Sequence, residues 1–544
     1  MQPDMQSNSQ SNLQSNLQPN FLLFITDQQR ADHVGSYGNA LLQTPALDAL
    51  ADQGWSADRF YVASPICMPN RATLMTGRMP SAHGVRHNGI ALSQRATTFV
   101  ERLRDAGYAT ALIGKSHLQN MTGLGPAWPP ASGKLARGEA WRPEPGDYDQ
   151  EWGPMWRDHP GHDVKTPFYG FDTVRLALDH GDQVGGHYAR WLAREHPEAR
   201  RLWGPEHAFS TPDFVLTQHR QAWRTRVPEE CSTTAYIGDQ TIAQLRRHAT
   251  GQAPFFIQCS FPDPHHPYTP PGKYWDQYRP DDVKLPESFH ASRAAHHHPP
   301  PHVAWLYRQR DLNMAVKHTP AVFACTEREA REAIALNYGS ISHIDATIGR
   351  VMQVLRDTGL DKNTVVIFTS DHGDFFGDHQ LLFKGPIHYQ SLIRTPFIWR
   401  DPQALPTAAR SQALCSTADI AATVLARAGV PAYNGMQGQS LLPLMSGATD
   451  TVRDALLIEE EGQRTMFGFP GRARMRTLQT ARHRLSVYAD ADWGELYDLH
   501  EDPHELRNLW HDPAAEARRG ELLMALSQTM IRHAETSPNP TAIA

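Results

Sequence analysis

Short groups of acidic, amide and basic side chains follow apolar segments at widely separated places in this chain. The groups are Asp27-Gln28, Lys115-Ser116-His117, His265-His266 and Asp371-His372. Carboxylate and amide oxygens favour Ca²⁺, Mg²⁺ or Mn²⁺, and an imidazole nitrogen shifts the preference toward Mn²⁺ or Zn²⁺. Asp27-Gln28 and Asp371-His372 together predict one divalent metal site, although either pair alone could equally be a helix cap or a turn.

Lys115 and His117 suit an anionic substrate. Residues two apart on an extended segment point the same way, so a cation and a titratable imidazole would face one spot. A surface loop is the simpler interpretation of this pair taken alone. The run His296–His298 is interpreted as a solvated loop rather than as a metal site.

Cys67 has unusual neighbours for a structural thiol. Pro69 suits the first turn of a helix, where its missing N–H costs nothing. The amides of a helix N-terminus favour an anion, and Arg71 adds a fixed positive charge. These surroundings would lower the pKa of the thiol, so a cysteine nucleophile with a histidine partner is the direct interpretation.

The elements that must position these residues are apolar runs of strand length. The runs are Phe21–Thr26, Ala109–Gly114, Phe255–Phe261 and Val365–Ser370. Such runs suit parallel strands buried on both faces, and an apolar stripe over 341–355 predicts a helix that Gly359 would cap. Strands alternating with helices predict an α/β fold with a mostly parallel sheet. Ligands bind beyond the carboxyl ends of such strands, so the four polar groups should meet at one active site.

Composition excludes several other classes of protein. The 544 residues carry 52 Lys and Arg against 58 Asp and Glu, a net charge of −6, which argues against nucleic-acid binding. Five widely spaced cysteines predict reduced thiols rather than a disulfide framework. The polar tail 1–20 lacks the charged and apolar regions of a secretory signal and is expected to be disordered. No apolar run approaches about 18 residues, so we expect no membrane span and a cytoplasmic location.

Two domains are predicted after the polar tail 1–20. Residues 21–435 form a catalytic domain, and residues 436–544 form a smaller α+β subdomain. Stretches rich in Pro, Trp and His at about 120–250 and 285–325 are expected to be long loop excursions over the active edge of the sheet.

Several motifs, in order, resemble one enzyme family. The segment CMPNRATLMTGRMP (67–80) resembles the C-x-P-x-R signature of type I sulfatases in the alkaline phosphatase superfamily. The other similar segments are FLLFITDQQRADHVGSYGN (21–39), GKSHL (114–118), DPHHPY (263–268), the long motif 368–396, and the C-terminal motifs 419–431, 435–444 and 495–509. The resemblance implies a large mixed, mostly parallel sheet sandwiched by helices, with a smaller C-terminal α+β domain.

The resemblance also implies a set of site residues and cofactors. Cys67 would be converted to formylglycine by a maturation enzyme, and one divalent cation would be bound, Ca²⁺ being expected and Mn²⁺ or Mg²⁺ the alternatives. The implied metal ligands are Asp27, Gln28, Asp371, His372 and the converted Cys67. The other implied catalytic residues are Arg71, Lys115, His117, His265 and Lys384.

In the implied reaction, a hydroxyl of the hydrated aldehyde attacks the sulfur of a small-molecule sulfate ester. Lys115 and Lys384 neutralise the sulfate oxygens, and Arg71 holds the hydrate. His265 protonates the leaving alcohol, and His117 takes a proton from the second hydroxyl.

Departures from the family pattern keep other functions open. Many sulfatases have Asp at the position of Gln28 and Asn at that of His372, and this chain is similar there to the choline-sulfatase and phosphonate-monoester-hydrolase branches. The alternatives are a phosphonate monoester or phosphodiester hydrolase on the same scaffold, and a non-catalytic protein that binds sulfated ligands. The alcohol half of the substrate and a homo-oligomeric state are left open.

Overall fold

The fold is described from a computed structural model. It covers residues 18–126, 138–142, 144–292, 298–404, 409–465, 469 and 471–543, with only the backbone of 463–465. The predicted disorder of residues 1–17 and the interpretation of His296 and His297 lie outside the described residues. His298 is exposed.

The strands and helices alternate over most of the chain. The strands are β1 (Asn20–Thr26), β2 (Trp55–Ala57), β3 (Phe60–Tyr61), β4 (Ala109–Gly114), β5 (Thr173–Leu178), β6 (Phe255–Ser260), β7 (Phe323–Ala324), β8 (Thr364–Ser370), β9 (Leu381–Leu382), β10 (Phe397–Arg400), β11 (Ala409–Ser411), β12 (Cys415–Ser416), β13 (Ala455–Thr465), β14 (Arg472–Thr480), β15 (His483–Tyr488) and β16 (Gly494–Asp498). The helices are α1 (Pro45–Asp52), α2 (Cys67–Thr76), α3 (Pro80–His83), α4 (Phe99–Asp105), α5 (Gly153–Asp158), α6 (Gly186–Glu195), α7 (Pro197–Arg200), α8 (Val215–Gln218), α9 (Thr233–His248), α10 (Glu287–Ala291), α11 (Pro301–Asp311), α12 (Glu327–Asp357), α13 (Gln390–Ile393), α14 (Ala418–Ala428), α15 (Leu442–Met445) and α16 (Glu516–Arg532).

The main sheet has the strand order β11-β2-β10-β8-β1-β6-β4-β5. Its centre is parallel, and β10 runs antiparallel to both β8 and β2. The four strands predicted from apolar runs are neighbours in the order β8-β1-β6-β4, so their carboxyl ends lie side by side. The predicted α/β fold with a large, mostly parallel sheet is confirmed.

Alternate residues of β1 explain why the central strands are apolar on both faces. Phe21, Leu23 and Ile25 belong to one hydrophobic core, and Leu22 and Phe24 belong to another on the opposite face. Side chains alternate in direction along a strand, so a strand that is apolar throughout has two faces to bury. Helices cover both faces of the sheet.

The longest helix, α12, contains the predicted helical stripe. It begins at a capping box in which Thr326 and Glu329 bind each other's backbone amides. Gly359 lies in the left-handed region with φ of 72°, one residue beyond the C-cap Thr358. Gly359 therefore follows the end of the helix, but it lies one residue beyond the C-cap position that was predicted for it.

Part of the region expected to be loops is regular structure. β5 is an edge strand of the main sheet, paired in parallel with β4, and α9 packs against α12 and β6. The segment TVRLAL of β5 was not predicted as a strand, because Arg175 interrupts its apolar residues and Pro, Trp and His are abundant around it. The domain bounds themselves remain predictions.

The C-terminal part is a separate antiparallel sheet, β13-β14-β15-β16, with α16 packed against it. Arg484 is fully buried there and binds the carboxylates of Glu495 and Glu505. A buried guanidinium requires such partners, because an unpaired buried charge is very costly.

The five cysteines are free thiols in this structure. The cytoplasmic location stays a prediction. Among the described residues, no helix combines the length and the apolarity needed to cross a bilayer.

Candidate active site

The carboxyl ends of β1, β6 and β8 are joined by backbone hydrogen bonds. The amide of Asp27 donates to the carbonyl of Asp263 at 3.2 Å, and the amide of Asp371 donates to that of Thr26 at 3.1 Å. The polar groups predicted from separate segments therefore converge at one edge of the sheet.

Four of the predicted metal ligands form a compact, buried group. One donor atom each from Asp27, Cys67, Asp371 and His372 lie within 4.8 Å of one another. Nε2 of His372 is 3.6 Å from Oδ1 of Asp27 and 3.7 Å from Oδ1 of Asp371. Two carboxylates and one imidazole fit a divalent cation by donor chemistry.

Gln28, the remaining predicted ligand, contacts Nζ of Lys384 through its amide oxygen, and the same Nζ also contacts Cys67 and His372. It adopts a left-handed φ of 65°, and its backbone N–H donates to Oδ1 of Asp371 at 3.1 Å. The side-chain nitrogen contacts Nδ1 of His266 at 3.1 Å and donates to Asp374, which leaves Oε1 facing Lys384. His266 and Asp374 thus orient the Gln28 amide, and the sequence analysis gave neither of them a role.

Cys67 begins α2 in the centre of this group. Its Sγ lies 3.1 Å from Nε2 of His372, 3.1 Å from Nζ of Lys384 and 3.8 Å from Oδ1 of Asp27. Burial and the Asp27 carboxylate raise the pKa of the thiol. Lys384 and Lys115 outweigh both and, with His372, lower the pKa of Cys67 to about 6.

Arg71 holds the Asp371 carboxylate rather than Cys67 in this structure. Its Nε is 2.7 Å from Oδ2 of Asp371, and Nη1 donates to the carbonyl of Lys115 and to Ser260 Oγ at 3.0 Å each. The nearby Asn70 donates to the carbonyl of Asp371, which ties α2 to the same loop. The signature segment therefore positions a metal ligand as well as position 67.

Two lysines supply positive charge to the site. Nζ of Lys384 lies within 3.1 Å of Oε1 of Gln28 and within 3.0 Å of the Nε2 atoms of His265 and His372. Nζ of Lys115 donates to Oδ2 of Asp27. Burial raises the pKa of Asp27, but Lys115 and the other neighbouring cations outweigh burial and hold it well below its usual range.

His265 and a histidine without a predicted role, His180, stack on each other. Their ring centroids are 3.7 Å apart, and Nε2 of His180 is 2.7 Å from Nζ of Lys115. Asp179 contacts Nδ1 of His180 at 3.2 Å. The Asp179-His180 pair directly follows β5, so it carried the same strand-end signal as the predicted groups.

His117 lies beside the site in a conformation that the sequence analysis did not predict. Its φ is 60°, so the segment 115–117 is not extended and the argument from alternating side chains is wrong. Within the described residues, no hydrogen bond joins His117 to Cys67. Burial lowers the pKa of His117, and Lys115 and Arg71 lower it further.

A buried carboxylate shapes the loop that carries His117. Glu151 Oε1 accepts from the His117 amide at 2.8 Å, and Oε2 accepts from the Gln119 amide at 2.6 Å. Gly114 permits the turn from β4, since its φ is 107° and a Cβ there would lie 1.8 Å from the carbonyl oxygen of Ser260. The tight turn therefore requires glycine.

The fold agrees with comparisons to known proteins. A family model described as "Sulfatase" matches residues 19–430. The chain belongs to the sulfatase family. A second model, "N-sulphoglucosamine sulphohydrolase, C-terminal", matches residues 377–532 of this sulfatase.

Similar proteins span almost the full length of the sulfatase. It is 27% identical over 504 residues to an arylsulfatase from Clostridium perfringens, with 90% of each chain covered. It is 24% identical over 540 residues to an N-acetylglucosamine-6-O-sulfatase from Bacteroides thetaiotaomicron, with 96% of this chain and 88% of the other covered. The crystal structure of the phosphonate monoester hydrolase of Agrobacterium radiobacter matches with a TM-score of 0.72 at 26% identity, covering 95% and 97%. The sulfatase is thus a sulfuric ester hydrolase with an alkaline-phosphatase-like fold.

Proposed function

We propose that this sulfatase hydrolyses a sulfate monoester to an alcohol and inorganic sulfate through a formylglycine made from Cys67. The observation that carries the proposal is the position of Cys67 Sγ, which contacts His372 and Lys384 at 3.1 Å each inside the donor group. The thiol stands here for an oxygen of the hydrated aldehyde. An electrostatic environment that favours a thiolate would also favour an oxyanion at that point.

One divalent cation is proposed to be held by Asp27, Gln28, Asp371, His372 and the converted residue 67. The expected ion is Ca²⁺, with Mn²⁺ and Mg²⁺ as alternatives, because the set is rich in oxygen but includes one imidazole. A bound divalent ion would lower the pKa of a neighbouring hydroxyl and polarise a sulfate oxygen.

Lys115 and Lys384 are proposed to neutralise the charge of the sulfate oxygens. Both are at least nine-tenths buried, so their charge acts with little screening. Arg71 fixes the Asp371 carboxylate, and in the proposal it also stabilises the hydrated aldehyde.

Proton transfer is assigned to two histidines. Burial and the neighbouring His180 and Lys384 hold the pKa of His265 well below its usual range. An anionic sulfate ester bound beside it would raise that pKa, so His265 could then protonate the leaving alcohol. His117 is proposed to take a proton from the second hydroxyl of residue 67, and His180 to position both Lys115 and His265.

Conversion of Cys67 requires a maturation enzyme, which we propose reads Cys67, Pro69 and Arg71. All three residues are buried in the folded chain. Conversion is therefore expected before this segment folds, since no enzyme could reach the thiol afterwards.

A phosphonate monoester or phosphodiester hydrolase is the second candidate, favoured by the similarity to the phosphonate monoester hydrolase structure. The test compares kcat/KM of the purified enzyme for an aryl sulfate and for a phenyl phosphonate ester that share one leaving group. The proposal expects the higher kcat/KM for the aryl sulfate. It expects no hydrolysis of the aryl sulfate above background by Cys67→Ala. A higher value for the phosphonate would reverse the assignment, and no turnover of either ester by fully converted, metal-loaded protein would favour a non-catalytic binding protein.

A further inference from the structure

A large cavity lies behind the metal-binding loops, apart from the proposed reaction centre. It has a volume of about 1170 Å³ and is lined both by the loops after β1 and β8 and by residues of the C-terminal part such as Arg482 and His504. We call it the rear cavity. None of the proposed metal ligands or catalytic residues lines it.

Two arginines, Arg59 and Arg394, line the rear cavity near Tyr61. Tyr61 and Arg394 are directly opposite each other in an antiparallel bridge, which extends the pairing of Phe60 with Thr395. Side chains of directly opposed residues lie on the same face of an antiparallel pair, so Tyr61 and Arg394 share one face. Arg59 lies in the turn directly before β3, and all three residues line the cavity.

The charges of these two arginines are not compensated by hydrogen-bonded carboxylates. Elsewhere in the cavity, Arg30 binds Asp32 and Asp378, and Arg482 binds Asp498. Within the described residues, neither the Arg59 nor the Arg394 guanidinium has a hydrogen bond or an ion pair. Both are half-buried, so each retains donors that face the cavity.

A buried hydroxyl in the same cavity also has no partner. Ser391 is 7% exposed, and its Oγ makes no hydrogen bond. It lies three residues before Arg394 and lines the cavity with it. A buried hydroxyl without a partner costs free energy that a bound ligand would recover.

We propose that the rear cavity binds a tetrahedral oxyanion, inorganic sulfate or phosphate, between Arg59 and Arg394 with Ser391 as a further donor. Two guanidinium groups that line one cavity from adjoining segments can share one oxyanion through charge-assisted hydrogen bonds. The planar guanidinium fork matches the oxygens of such an anion. This site is independent of the proposed reaction.

The bound anion would brace the metal-binding loops from behind. The amide of Ala31 donates to the carbonyl of Arg394 at 3.3 Å, and the amide of Gly373 donates to that of Leu392 at 2.9 Å. The segment 390–394 therefore supports the loop after Gln28 and the loop after His372 together. Occupancy of the rear cavity is expected to raise the unfolding temperature of the protein by mass action.

Selenate locates the site directly, because its anomalous scattering identifies each bound anion in crystals of the full chain. The proposal expects a peak between Arg59 and Arg394 in addition to any peak beside Lys384. Selenate found only beside Lys384, or at neither place, would overturn the proposal. This readout needs no turnover, so it stays informative if the proposed sulfatase reaction is wrong.

Titration calorimetry with inorganic sulfate and then inorganic phosphate tests the two arginines. Arg59→Met and Arg394→Met should each weaken binding to the rear cavity about tenfold or more, because each removes a charge-assisted hydrogen bond. Arg482→Met is the matched control, since Arg482 lines the same cavity but is already bound to Asp498, and it should leave binding unchanged. Arg394→Lys, which keeps the charge, provides a milder variant should a methionine variant fail to fold.

Competition kinetics separate this site from the reaction centre. The inhibition constant of sulfate against an aryl sulfate should be the same in the wild type and in Arg394→Met. Unaltered calorimetric binding in the two methionine variants, or binding abolished by Lys115→Ala alone, would place the anion only in the reaction centre and refute the proposal.

Discussion

The side chain at position 67 lies where opposing electrostatic effects meet, and those that favour a negative charge prevail. Burial and Asp27 disfavour a negative charge on it, and Lys384, Lys115 and His372 favour one more strongly. The two buried lysines therefore favour negative charge at position 67. In the proposed reaction, the charge of a sulfate oxygen would develop at the same place.

Lys384→Met tests the larger of the two lysine contributions to the pKa of Cys67. The variant keeps an unbranched side chain but removes the charge that contacts Gln28 and Cys67. We expect kcat for an aryl sulfate to fall about 10²–10³-fold, the usual effect of losing one group that stabilises transition-state charge. Lys362→Met, an exposed lysine, is the control, and a kcat in Lys384→Met within twofold of this control would contradict the assignment.

His180→Gln tests the histidine that stacks on His265. The substitution removes the ring contact and the interaction with Nζ of Lys115. We expect kcat to fall at least about tenfold, with the acidic limb of the pH–rate profile displaced because the surroundings of His265 change. His207→Gln serves as a control from the same region, and an unchanged pH profile in His180→Gln would show that His180 does not position His265.

At the scale of elements, the active edge depends on loops whose backbone is unusual. Gln28 and His117 both have positive φ, and each loop is fixed by a buried carboxylate: Gln28 contacts Asp374, and the His117 loop contacts Glu151. Such conformations cost free energy that the surrounding hydrogen bonds must offset.

Glu151→Gln tests the carboxylate that shapes the His117 loop. Burial raises the pKa of Glu151 from 4.5 to about 7, more than the backbone hydrogen bonds lower it. The folded state therefore holds the proton more tightly than the unfolded state, and this contribution to stability is present below about pH 4.5 and lost as the pH rises through about 7. Between pH 4.5 and 7, the free energy of unfolding of the wild type should fall by ~3 kcal/mol more than that of Glu151→Gln.

Denaturant unfolding of both proteins at several pH values measures that difference. Glu144→Gln, a partly exposed acid in the same excursion, should show a pH dependence like the wild type. A constant difference between the wild type and Glu151→Gln from pH 4.5 to 7 would contradict the raised pKa.

For the whole molecule, the sheet brings together groups from segments more than 300 residues apart, and a divalent ion would link them. Exhaustive chelation should abolish hydrolysis of an aryl sulfate, and Ca²⁺ should restore it, with Mn²⁺ or Mg²⁺ as weaker substitutes. The same ions should raise the unfolding temperature, because they bind only the folded arrangement of Asp27 and Asp371. Full activity after chelation, with no residual metal by elemental analysis, would exclude the proposed metal site.

Much of this architecture could be predicted from the sequence because buried parallel strands leave a simple signal. The apolar runs that became β1, β4, β6 and β8 end at polar residues, and their adjacency places Asp27 near Asp371. The positive φ of His117 leaves no such signal, since it follows from tertiary contacts with Glu151. His180 did carry a strand-end signal, but it lay among Pro- and Trp-rich segments that were interpreted as loops.

The central claim is that a residue derived from Cys67 acts on the sulfate ester. Mass spectrometry of the tryptic peptide Phe60–Arg71, taken from enzyme of measured specific activity, tests it most directly. The account predicts the aldehyde or its hydrate at position 67, in a fraction that rises in proportion to activity across preparations. Fully active enzyme in which that peptide carries only an unmodified thiol would contradict the account.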